Sequence, residues 1–385
     1  MVAACPFPLP RGTPIRIHRL AEALARRGHD VHVVAYHLGD ELRDPPFRIH
    51  RIRGRWLGLY RKTSPGPSYR KLAILDPLLA RELSRCIESC RMDIVHAHHY
   101  EGLIVGRLAR RGLPLVYDAH TTLETELPYH SVWLPSAVKR GIGRFLDRRL
   151  PPLADHTVAV SEGVRERLVR GGADPASITV VVNGVEVEAF QAPVGERRGA
   201  GTVIFTGNLA PYQRIDLLLE AFSRVRARRT DARLLIVTGS SFEPHETAAR
   251  DLGIAEAIDI RNEPFERIPE LLAAADVAVS PRTDGDGVPQ KILNYMAAGK
   301  AIAAFAGSAG PLEHERTGLC AESGSAEALA GVIVRLLEDG ALARRLGAAA
   351  REEVLSHRSW DAVAGRVEEV YARLLAERPA AEPGS

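Results

Sequence analysis

A glycine-rich turn with basic residues at both ends follows a short apolar run in the second half of the chain. Residues 280–291 read SPRTDGDGVPQK. Gly285 and Gly287 have no side chain, so backbone N–H groups there can approach a ligand closely. Arg282 and Lys291 add positive charge, and a helix predicted to begin beside Lys291 attracts anions at its N-terminal end. The turn indicates an anion-binding site, or else an ordinary strand–loop–helix connection with a solvated charge cluster.

Three familiar phosphate-binding and hydrolase motifs are absent from the sequence. Gly12 stands alone after the first apolar run, without the further glycines of a dinucleotide-binding G-x-G-x-x-G loop. Lys300 lacks the upstream glycine and following hydroxyl residue of a Walker A loop, and Ser308 lacks the preceding glycine of a nucleophile elbow. These absences argue against a nicotinamide dehydrogenase, an ATPase and a serine hydrolase.

The elements that must position these residues alternate between apolar strands and amphipathic helices. Such alternation is typical of parallel sheets covered on both faces, so the sequence predicts an α/β protein with two doubly wound sheets. In the first half, the predicted strands are Val2–Cys5, Val31–Tyr36, Ile94–Ala97, Leu115–Tyr117, His156–Val160 and Ile178–Val182, and the predicted helices are Ile15–Arg27, 102–111 and Glu162–Arg170, the last capped by Ser161. In the second half, the predicted strands are Thr202–Thr206, Arg233–Thr238, Ile258–Arg261, Val277–Ser280 and Ala301–Ala304, and helices are predicted over Ile215–Arg228, 243–252, Ile268–Ala274, 289–298 and within 325–376. A loop over Pro6–Pro14 is predicted to contain Gly12.

A polar segment at 191–201 (QAPVGERRGAG) separates the two halves and predicts an interdomain linker. The predicted domains are residues 1–192 and 201–358, followed by a C-terminal helix at 359–376. The chain has 385 residues, of which 45% are hydrophobic and 26% charged, so packed cores are possible and wholesale disorder is excluded. Its net charge of +3 is too small to indicate a nucleic-acid partner, and none is expected.

Segments from both halves together resemble one enzyme family. Residues 286–300 (DGVPQKILNYMAAGK) resemble the E-x7-E signature of family 4 retaining glycosyltransferases. The other matching pieces, in chain order, are LAEALARRGHDVHVV, DIVHAHH, VYDAH, VSEGVRERL, VVNGVEVEAF, FTGNLAPYQRIDLLLEAF, TGLC and SWDAVAGRVEEVYARLL. The resemblance covers about residues 1–376. It implies the GT-B fold, in which two Rossmann-like domains face a central cleft and the last helix crosses back to the first domain. It also implies transfer of a sugar from a nucleotide-diphospho-sugar to a hydroxyl acceptor with retention of configuration.

The resemblance implies roles for particular positions. Asp286 matches the first acid of the signature, near the donor sugar, and Asn294 matches the second, on the ribose of the nucleotide. His120 matches a histidine that orients the reacting sugar, so His120 and Asp286 are the implied catalytic residues. Gly12 would let the first loop approach the diphosphate. The other implied substrate-binding residues are Arg214, Arg282, Gly285, Gly287 and Lys291.

Two departures from the family pattern affect donor binding. The signature acids are normally glutamates, and an asparagine such as Asn294 binds a ribose hydroxyl without charge assistance. The family's G-R-L…K-G pair, which normally clamps the diphosphate, reads GNL at 207–209 and QR at 213–214. Both expected cations are therefore missing, although a departing diphosphate needs positive charge or aimed N–H groups. The candidate replacements are Arg214, Arg282 and Lys291, of which the last two are favoured.

No metal or cofactor is expected for the reaction if these cations hold the diphosphate. His96, His98 and His99 resemble part of a zinc site, but no fourth ligand is obvious. Cys86 and Cys90 lie one helical turn apart, which indicates either a metal-binding pair or two small buried helix residues. The four cysteines form no disulfide framework, so a reducing cytoplasm is expected.

Two basic segments of the first half contain interleaved apolar residues. Residues 47–75 contain eight lysines and arginines and no acid, and 138–150 combines an apolar helical stripe with five basic residues. This pattern suits an anionic membrane surface and predicts a lipid-linked or envelope glycan acceptor, with the protein peripheral on the inner face of the cytoplasmic membrane. The alternative is a solvated arginine surface. The stripe consists of Val138, Ile142, Phe145 and Leu146.

The sequence leaves other functions open. A GT-B-like sugar-nucleotide epimerase or isomerase would act on the donor without an acceptor. A non-catalytic partner subunit would account for the missing cations. A nicotinamide dehydrogenase is least favoured, because the glycine fingerprint is absent.

Overall fold

A computed structural model of the chain describes residues 1–9, 12–54, 57–60, 71–129, 134–190, 201–283 and 290–377. The chain divides into two units, of which the first comprises Met1–Asn183 and the segment from Trp360 onward, and the second comprises Gly184–Ser359. Within the described residues, each unit contains one all-parallel sheet with helices between its strands. The predicted class, an α/β protein with two doubly wound sheets, is confirmed.

The described part of the first unit forms a seven-stranded sheet in the order β3-β2-β1-β4-β5-β6-β7. Its central strands are buried because their Val-, Ala- and Leu-rich sequences are covered by helices. The strands are β1 (Val2–Ala3), β2 (His32–Ala35), β3 (Arg48–Arg51), β4 (Val95–His98), β5 (Leu115–Ala119), β6 (His156–Ala159) and β7 (Ile178–Val180). The helices are α1 (Gly12–Arg26), α2 (Asp76–Cys90), α3 (His99–Ala109), α4 (Leu123–Glu126), α5 (Ser136–Arg149) and α6 (Glu162–Arg170).

The first residues of α6 and α1 can be compared with the predictions made for them. The predicted cap is confirmed, because Ser161 Oγ accepts a hydrogen bond from the Val164 N–H at 3.2 Å at the start of α6. The prediction that Gly12 lies in a loop is wrong, because Gly12 is the first residue of α1. Pro14 did not exclude this helix start, since a proline in the first turn removes only an N–H that has no intrahelical partner.

In the basic segment 47–75, two described basic side chains have partners within the first unit, whereas Arg55, Arg61, Lys62 and Arg70 lie outside the described residues. The start of the segment is the edge strand β3, in which Ile49 is the one apolar residue, so the apolar run of the other strands is lacking. Arg51 donates hydrogen bonds to the carbonyl oxygens of Leu38 and Asp40, both at 2.9 Å. Lys71 is buried and forms an ion pair with Glu101 at 2.5 Å. Both side chains therefore have partners within the first unit.

The second unit contains a six-stranded sheet in the order β10-β9-β8-β11-β12-β13 within the described residues. The strands are β8 (Thr202–Thr206), β9 (Arg233–Val237), β10 (Ile258–Arg261), β11 (Val277–Ser280), β12 (Ala301–Phe305) and β13 (Leu319–Ala321). The helices are α7 (Ile215–Arg228), α8 (Glu243–Asp251), α9 (Ile268–Ala274), α10 (Gln290–Ala297), α11 (Ala326–Glu338) and α12 (Gly340–His357). Two apolar clusters lie on opposite faces of this sheet.

The chain passes between the units at Asn183 and Gly184, earlier than the predicted linker at 191–201. Val185 and Phe190 are buried in an apolar cluster that includes strand and helix residues of the second unit. The segment before the predicted linker therefore packs on the second unit, because its apolar side chains are buried there. Most of the predicted linker lies outside the described residues.

The last described helix, α13 (Trp360–Ala376), packs in the first unit. Val363 and Val367 are buried in the same apolar cluster as residues of α1. Arg27, next to the end of α1, pairs with Glu368 at 2.7 Å. The C-terminal helix thus completes a core that includes α1, although Arg27 and Glu368 are 341 residues apart in the chain.

Candidate active site

A buried carboxylate organises the polar side chains at the carboxyl end of β5. Asp118 is fully buried, and its Oδ2 accepts a hydrogen bond from Arg16 Nε at 2.8 Å. Arg16 also donates to the Val181 carbonyl oxygen at 3.0 Å, which ties α1 to the segment after β7. His98 Nδ1 and His96 Nε2 lie 3.3 and 3.5 Å from the same carboxylate oxygen. This arrangement fixes the end of β5, the strand that His120 follows.

The implied catalytic histidine, His120, is held by this cluster. Its Nδ1 lies 3.2 Å from Thr13 Oγ1, and its Nε2 lies 3.3 Å from His98 Nδ1 and 3.9 Å from Asp118 Oδ2. Both ring nitrogens therefore have protein partners. The structure brings His120 next to the first turn of α1, where Gly12 and Thr13 lie.

Burial keeps the histidines of this cluster neutral, and the positive charge of Arg16 keeps the carboxylate ionised. Burial lowers the pKa of His120 well below its usual range. Burial and the neighbouring His96 lower the pKa of His98 to about 3. Burial alone would raise the pKa of Asp118, but the positive charge of Arg16, together with the polar contacts of His96 and His98, holds it well below its usual range. A neutral His98 that donates from Nδ1 toward Asp118 leaves His120 to donate from Nδ1 to Thr13 Oγ1, whose proton is then available to a ligand.

His96, His98 and Asp118 place three potential metal-ligand atoms within 4.8 Å of one another. Arg16 already neutralises the carboxylate, and a divalent cation beside a guanidinium would be repelled. His99 does not join this cluster, because its Nε2 pairs with Glu126 Oε2 at 3.0 Å. The chemistry of these side chains fits a hydrogen-bonded network better than a zinc site.

The two favoured cations of the second unit lie close to one another. Lys291, in the first turn of α10, donates from Nζ to Gln213 Oε1 at 2.9 Å and lies 3.7 Å from the centre of the Phe205 ring. The Arg282 guanidinium lies 5.6 Å from the centre of the Tyr212 ring. Burial, followed by the positive charge of Arg282, lowers the pKa of Lys291 to about 7. Two adjacent positive groups with a depressed lysine pKa are the arrangement that an anion would stabilise.

The loop before α7 contains the positions at which the family's usual cation pair is replaced. Gln213 occupies the family's lysine position, and Lys291 approaches it from α10. Arg214 occupies the family's glycine position in the left-handed conformation, with φ of 54°, and its guanidinium pairs with Asp216 at 2.7 Å. Gly207 has φ of +124°, and a Cβ there would lie 3.1 Å from Lys291 Nζ. Glycine at 207 therefore leaves room beside the ammonium group, whereas Arg214 has an acidic partner.

Two buried hydroxyls mark the carboxyl edge of the second sheet. Ser280 ends β11, and Ser308 follows the neighbouring parallel strand β12. The Oγ atoms of both serines are buried without a hydrogen-bond partner among the described residues. A buried hydroxyl without a partner is costly, and ligands of doubly wound sheets bind at this edge. Asn294 is 9% exposed and lies one helical turn beyond Lys291.

Several residues of these sites were not singled out from the sequence. In the first unit they are Thr13, Arg16 as a partner of Asp118, and Asp118 itself; in the second they are Phe205, Gln213 as a partner of Lys291, Ser280 and Ser308. Among these, only Asp118 had a usable signal in the sequence. It lies two residues before His120 in the segment VYDAH, and alternate residues of a strand point to the same face. The predicted residues Gly285, Asp286 and Gly287 lie outside the described part of the chain.

Comparison with known proteins identifies the enzyme class. Residues 10–189 match the family described as Glycosyltransferase Family 4, and residues 200–339 match the family described as Glycosyl transferases group 1. The chain belongs to glycosyltransferase family 4. This glycosyltransferase is 28% identical to the MMP alpha-(1->4)-mannosyltransferase of Mycolicibacterium hassiacum over 95% of each chain. It is 26% identical to the D-inositol 3-phosphate glycosyltransferase of Kineococcus radiotolerans over 97% of this chain and 93% of that one.

Solved structures confirm the GT-B fold of the glycosyltransferase. Sucrose-phosphate synthase from Thermosynechococcus elongatus matches 98% of this chain and 99% of its own with a TM-score of 0.72 and 20% identity. HepE of Anabaena in complex with UDP matches 97% of this chain and 99% of its own with a TM-score of 0.73 and 18% identity. Together with the family matches and the curated relatives, these structures confirm the recognised family, the fold class and the glycosyltransferase activity predicted from the sequence.

Proposed function

We propose that this glycosyltransferase moves a sugar from a nucleotide-diphospho-sugar to a hydroxyl acceptor with retention of configuration. The observation that carries the proposal is the placement of Lys291 against Gln213, with Arg282 nearby. A partly buried ammonium group at this position supplies the positive charge that the family's usual pair lacks, and the diphosphate needs that charge as it departs. The UDP bound to HepE, a protein of the same fold, supports a nucleoside diphosphate as the anion.

The chain and its substrates supply every group that the proposed reaction uses. The bond between C1 of the sugar and the diphosphate oxygen breaks, and the acceptor oxygen bonds to C1 on the same face. The acceptor's proton passes to the departing diphosphate. Lys291 and Arg282 hold the diphosphate, Asn294 binds the ribose, and Thr13 and His120 orient the sugar hydroxyls. Asp286, which lies outside the described residues, is retained as a contact to the sugar, and no metal or cofactor is assigned.

The donor is identified by thermal stabilisation against a panel of nucleotide-sugars and their nucleoside diphosphates. A ligand that binds only the folded protein at about 100 times its Kd stabilises it by roughly 2.7 kcal/mol. For a protein of this size, that corresponds to a rise in Tm of several degrees. We expect one nucleoside diphosphate and its sugar conjugates to raise Tm, whereas the corresponding monophosphate raises it less. No stabilisation by any member of the panel would contradict the proposal.

Turnover of the stabilising donor then separates the possible functions. With an acceptor, we expect release of nucleoside diphosphate and a product whose anomeric configuration, measured by NMR, equals that of the donor. Conversion of the donor to another nucleotide-sugar without an acceptor would instead indicate an epimerase. Binding without turnover that a second chain restores would indicate a partner subunit, and inversion at C1 would exclude the retaining mechanism.

We propose in addition that α5 docks on an anionic membrane and that the acceptor is lipid-linked. Val138, Ile142 and Phe145 are 46%, 41% and 57% exposed. They lie on the opposite face of α5 from the buried residues Gly143 and Asp147, so the apolar stripe is not used by the core. The predicted fourth member of the stripe, Leu146, instead packs against the core of the first unit.

Basic residues on α5 favour a lipid surface over an apolar protein partner. Four of the five predicted basic side chains of α5 are exposed, and Arg149 lies over the Phe145 ring at 5.3 Å. Cations beside an exposed apolar stripe match the headgroups and acyl boundary of an anionic membrane. No helix in the described parts of the chain combines the length and apolar character that a bilayer span requires. The docking that we propose is peripheral, and we assign it to the inner face of the cytoplasmic membrane.

Replacing Phe145 by glutamate is expected to abolish flotation with anionic liposomes. The substitution removes an exposed aromatic ring and adds a charge that anionic lipid repels. Leu355→Glu is the matched control, because Leu355 is 44% exposed on α12 of the second unit, and flotation should be unchanged. Wild-type flotation that is equal on neutral and anionic vesicles, or equal loss in both variants, would contradict docking through α5.

A further inference from the structure

Two histidines and two cysteines of the first unit converge beside the edge of its sheet. One potential ligand atom from each of His32, His50, Cys86 and Cys90 lies within 4.8 Å of all the others. His32 Nδ1 is 2.8 Å from His50 Nε2 and 3.7 Å from Cys86 Sγ. None of these side chains belongs to the candidate active site.

The fold explains why these four side chains meet. In the register of β2 and β3, Val34 lies opposite His50. Because side chains alternate along a strand, His32 and Val34 share a face, and His50 points to that same face. The cysteines lie four residues apart on α2, which packs on this side of the sheet. Cys86 faces the sheet and is 3% exposed, and Cys90 follows one turn later. The cluster therefore uses three separate elements.

We propose that His32, His50, Cys86 and Cys90 bind one zinc ion as a structural site. Two thiolates and two neutral imidazoles are a frequent ligand set of structural zinc, and the two thiolate charges neutralise the ion. Tetrahedral geometry with usual zinc–nitrogen and zinc–sulfur bonds separates the ligand atoms by about 3.3–3.8 Å. The His32–Cys86 distance already lies in that range, and the two imidazoles must separate by roughly half an ångström.

The surroundings of the cluster fit a metal site. His32 Nε2 lies 3.2 Å from Asp30 Oδ1, so a carboxylate holds the ring nitrogen that faces away from the cluster. Zinc-binding histidines usually make this second contact, which leaves the other nitrogen free of a proton. Ser89 Oγ lies 3.5 Å from Cys90 Sγ.

The proposed site has a structural role. All four positions are taken by protein atoms, which leaves no open position for a substrate. The ion would join β2, the edge strand β3 and α2. The edge strand has few other apolar anchors, because its residues are mainly basic. Zinc binding is therefore expected to stabilise the first unit, whether or not the enzyme is turning over.

The test is the zinc content of the full chain, purified from zinc-supplemented medium and washed over a chelating resin. We expect about one zinc per chain by mass spectrometry, and cobalt substituted for zinc should give the intense visible absorption of a tetrahedral thiolate site. Cys90→Ser and His50→Gln should lose at least tenfold in zinc affinity. Cys320→Ser, which removes a partly buried thiol of the second unit, is the matched control and should retain full zinc content.

A second measurement keeps the proposal testable if a variant does not fold. In the wild-type chain, a strong chelator should make two further thiols reactive to alkylation, identified as Cys86 and Cys90 by peptide mapping. It should also lower Tm by several degrees, and zinc should restore both. Zinc far below one per chain, cobalt absorption without a thiolate band, or unchanged thiol reactivity after chelation would overturn the proposal. None of these readouts depends on the donor or acceptor.

Discussion

Replacing Lys291 by methionine is expected to weaken binding of a nucleoside diphosphate by about one to two orders of magnitude. A hydrogen bond from a charged group contributes about 1.5–3 kcal/mol, and 1.4 kcal/mol corresponds to a tenfold change in affinity. Methionine has a similar length and can pack on the Phe205 ring that Lys291 covers. The loss is therefore one of charge and not of shape. Titration calorimetry with the nucleoside diphosphate that stabilises the wild type measures this loss of affinity.

The same substitution should not lower the stability of the protein. Burial and Arg282 depress the pKa of Lys291 to about 7, so the unfolded chain binds more protons than the folded chain between that value and the ordinary 10.5. The free energy of unfolding therefore rises with pH across this window, and Lys291→Met should remove that dependence. Retained or increased stability together with weaker binding is the expected combination.

Diphosphate binding should also take up a proton. Above pH 7 the free lysine is largely neutral, and a bound anion favours its charged form, so affinity should fall as the pH rises above 7. Calorimetry at pH 8 in buffers of different ionisation enthalpy should show proton uptake approaching one in the wild type and little in Lys291→Met. Equal affinity at pH 7 and pH 9 would contradict a role for this ammonium group.

Lys300 supplies a control with the opposite expectation. Its ammonium group is buried and donates to the carbonyl oxygens of Ala273 and Ala275, at 3.2 and 2.6 Å, at the end of α9. Lys300→Met leaves these carbonyls without their charged donor and should lower the free energy of unfolding by about 1–3 kcal/mol. At a temperature where this variant is folded, its affinity for the diphosphate should match that of the wild type.

Replacing His120 by alanine is expected to lower kcat for sugar transfer by a hundredfold or more. Removal of one positioned donor that acts in a transition state typically costs about 10²–10³ in kcat. His120 lies between Thr13 and His98, so alanine breaks the chain of hydrogen bonds that begins at Asp118 and orients the Thr13 hydroxyl. The Kd of the nucleoside diphosphate should change little, because its proposed cations lie in the second unit. Steady-state transfer kinetics and calorimetry separate the two parameters.

The pH dependence of His120 differs from that of an ordinary histidine. Burial holds the pKa of His120 well below the usual 6.5, so its charge should not change between pH 6 and 8. We therefore expect no titration of His120 in the pH profile of kcat over this range. Below pH 6.5, histidines of the unfolded chain bind protons that the buried neutral histidines of the folded chain do not. The free energy of unfolding should therefore fall as the pH drops through 6.5.

His156→Ala is the matched control for His120→Ala. His156 is also buried in the first unit, and it contacts Thr179 Oγ1 at 2.9 Å on the neighbouring strand. Its loss should lower Tm and leave kcat unchanged. A kcat for folded His120→Ala within threefold of the wild type would show that His120 is only a buried structural residue.

The fold was largely predictable from the sequence because its signals are local. The buried strands and the amphipathic helices each repeat with their own period, and Ser161 caps α6 through an N–H three residues away. The edge strand β3 was missed because its basic residues hide the apolar alternation that a half-buried strand normally shows. The place where the chain enters the second unit was set by burial of Val185 and Phe190, not by the polar composition of the following segment.

The sequence by itself determined the two doubly wound sheets, the order of the family motifs and the lack of the usual diphosphate-binding cations. Only the tertiary structure decided which side chains replace or support the missing groups. Lys291 meets Gln213 across 78 residues, and Thr13 meets His120 across 107. The tertiary structure also decided that Lys71 is buried with Glu101 and that Arg214 is paired with Asp216. Residue type and spacing describe periodic local structure, whereas such contacts depend on how parallel strands bring distant loops to one sheet edge.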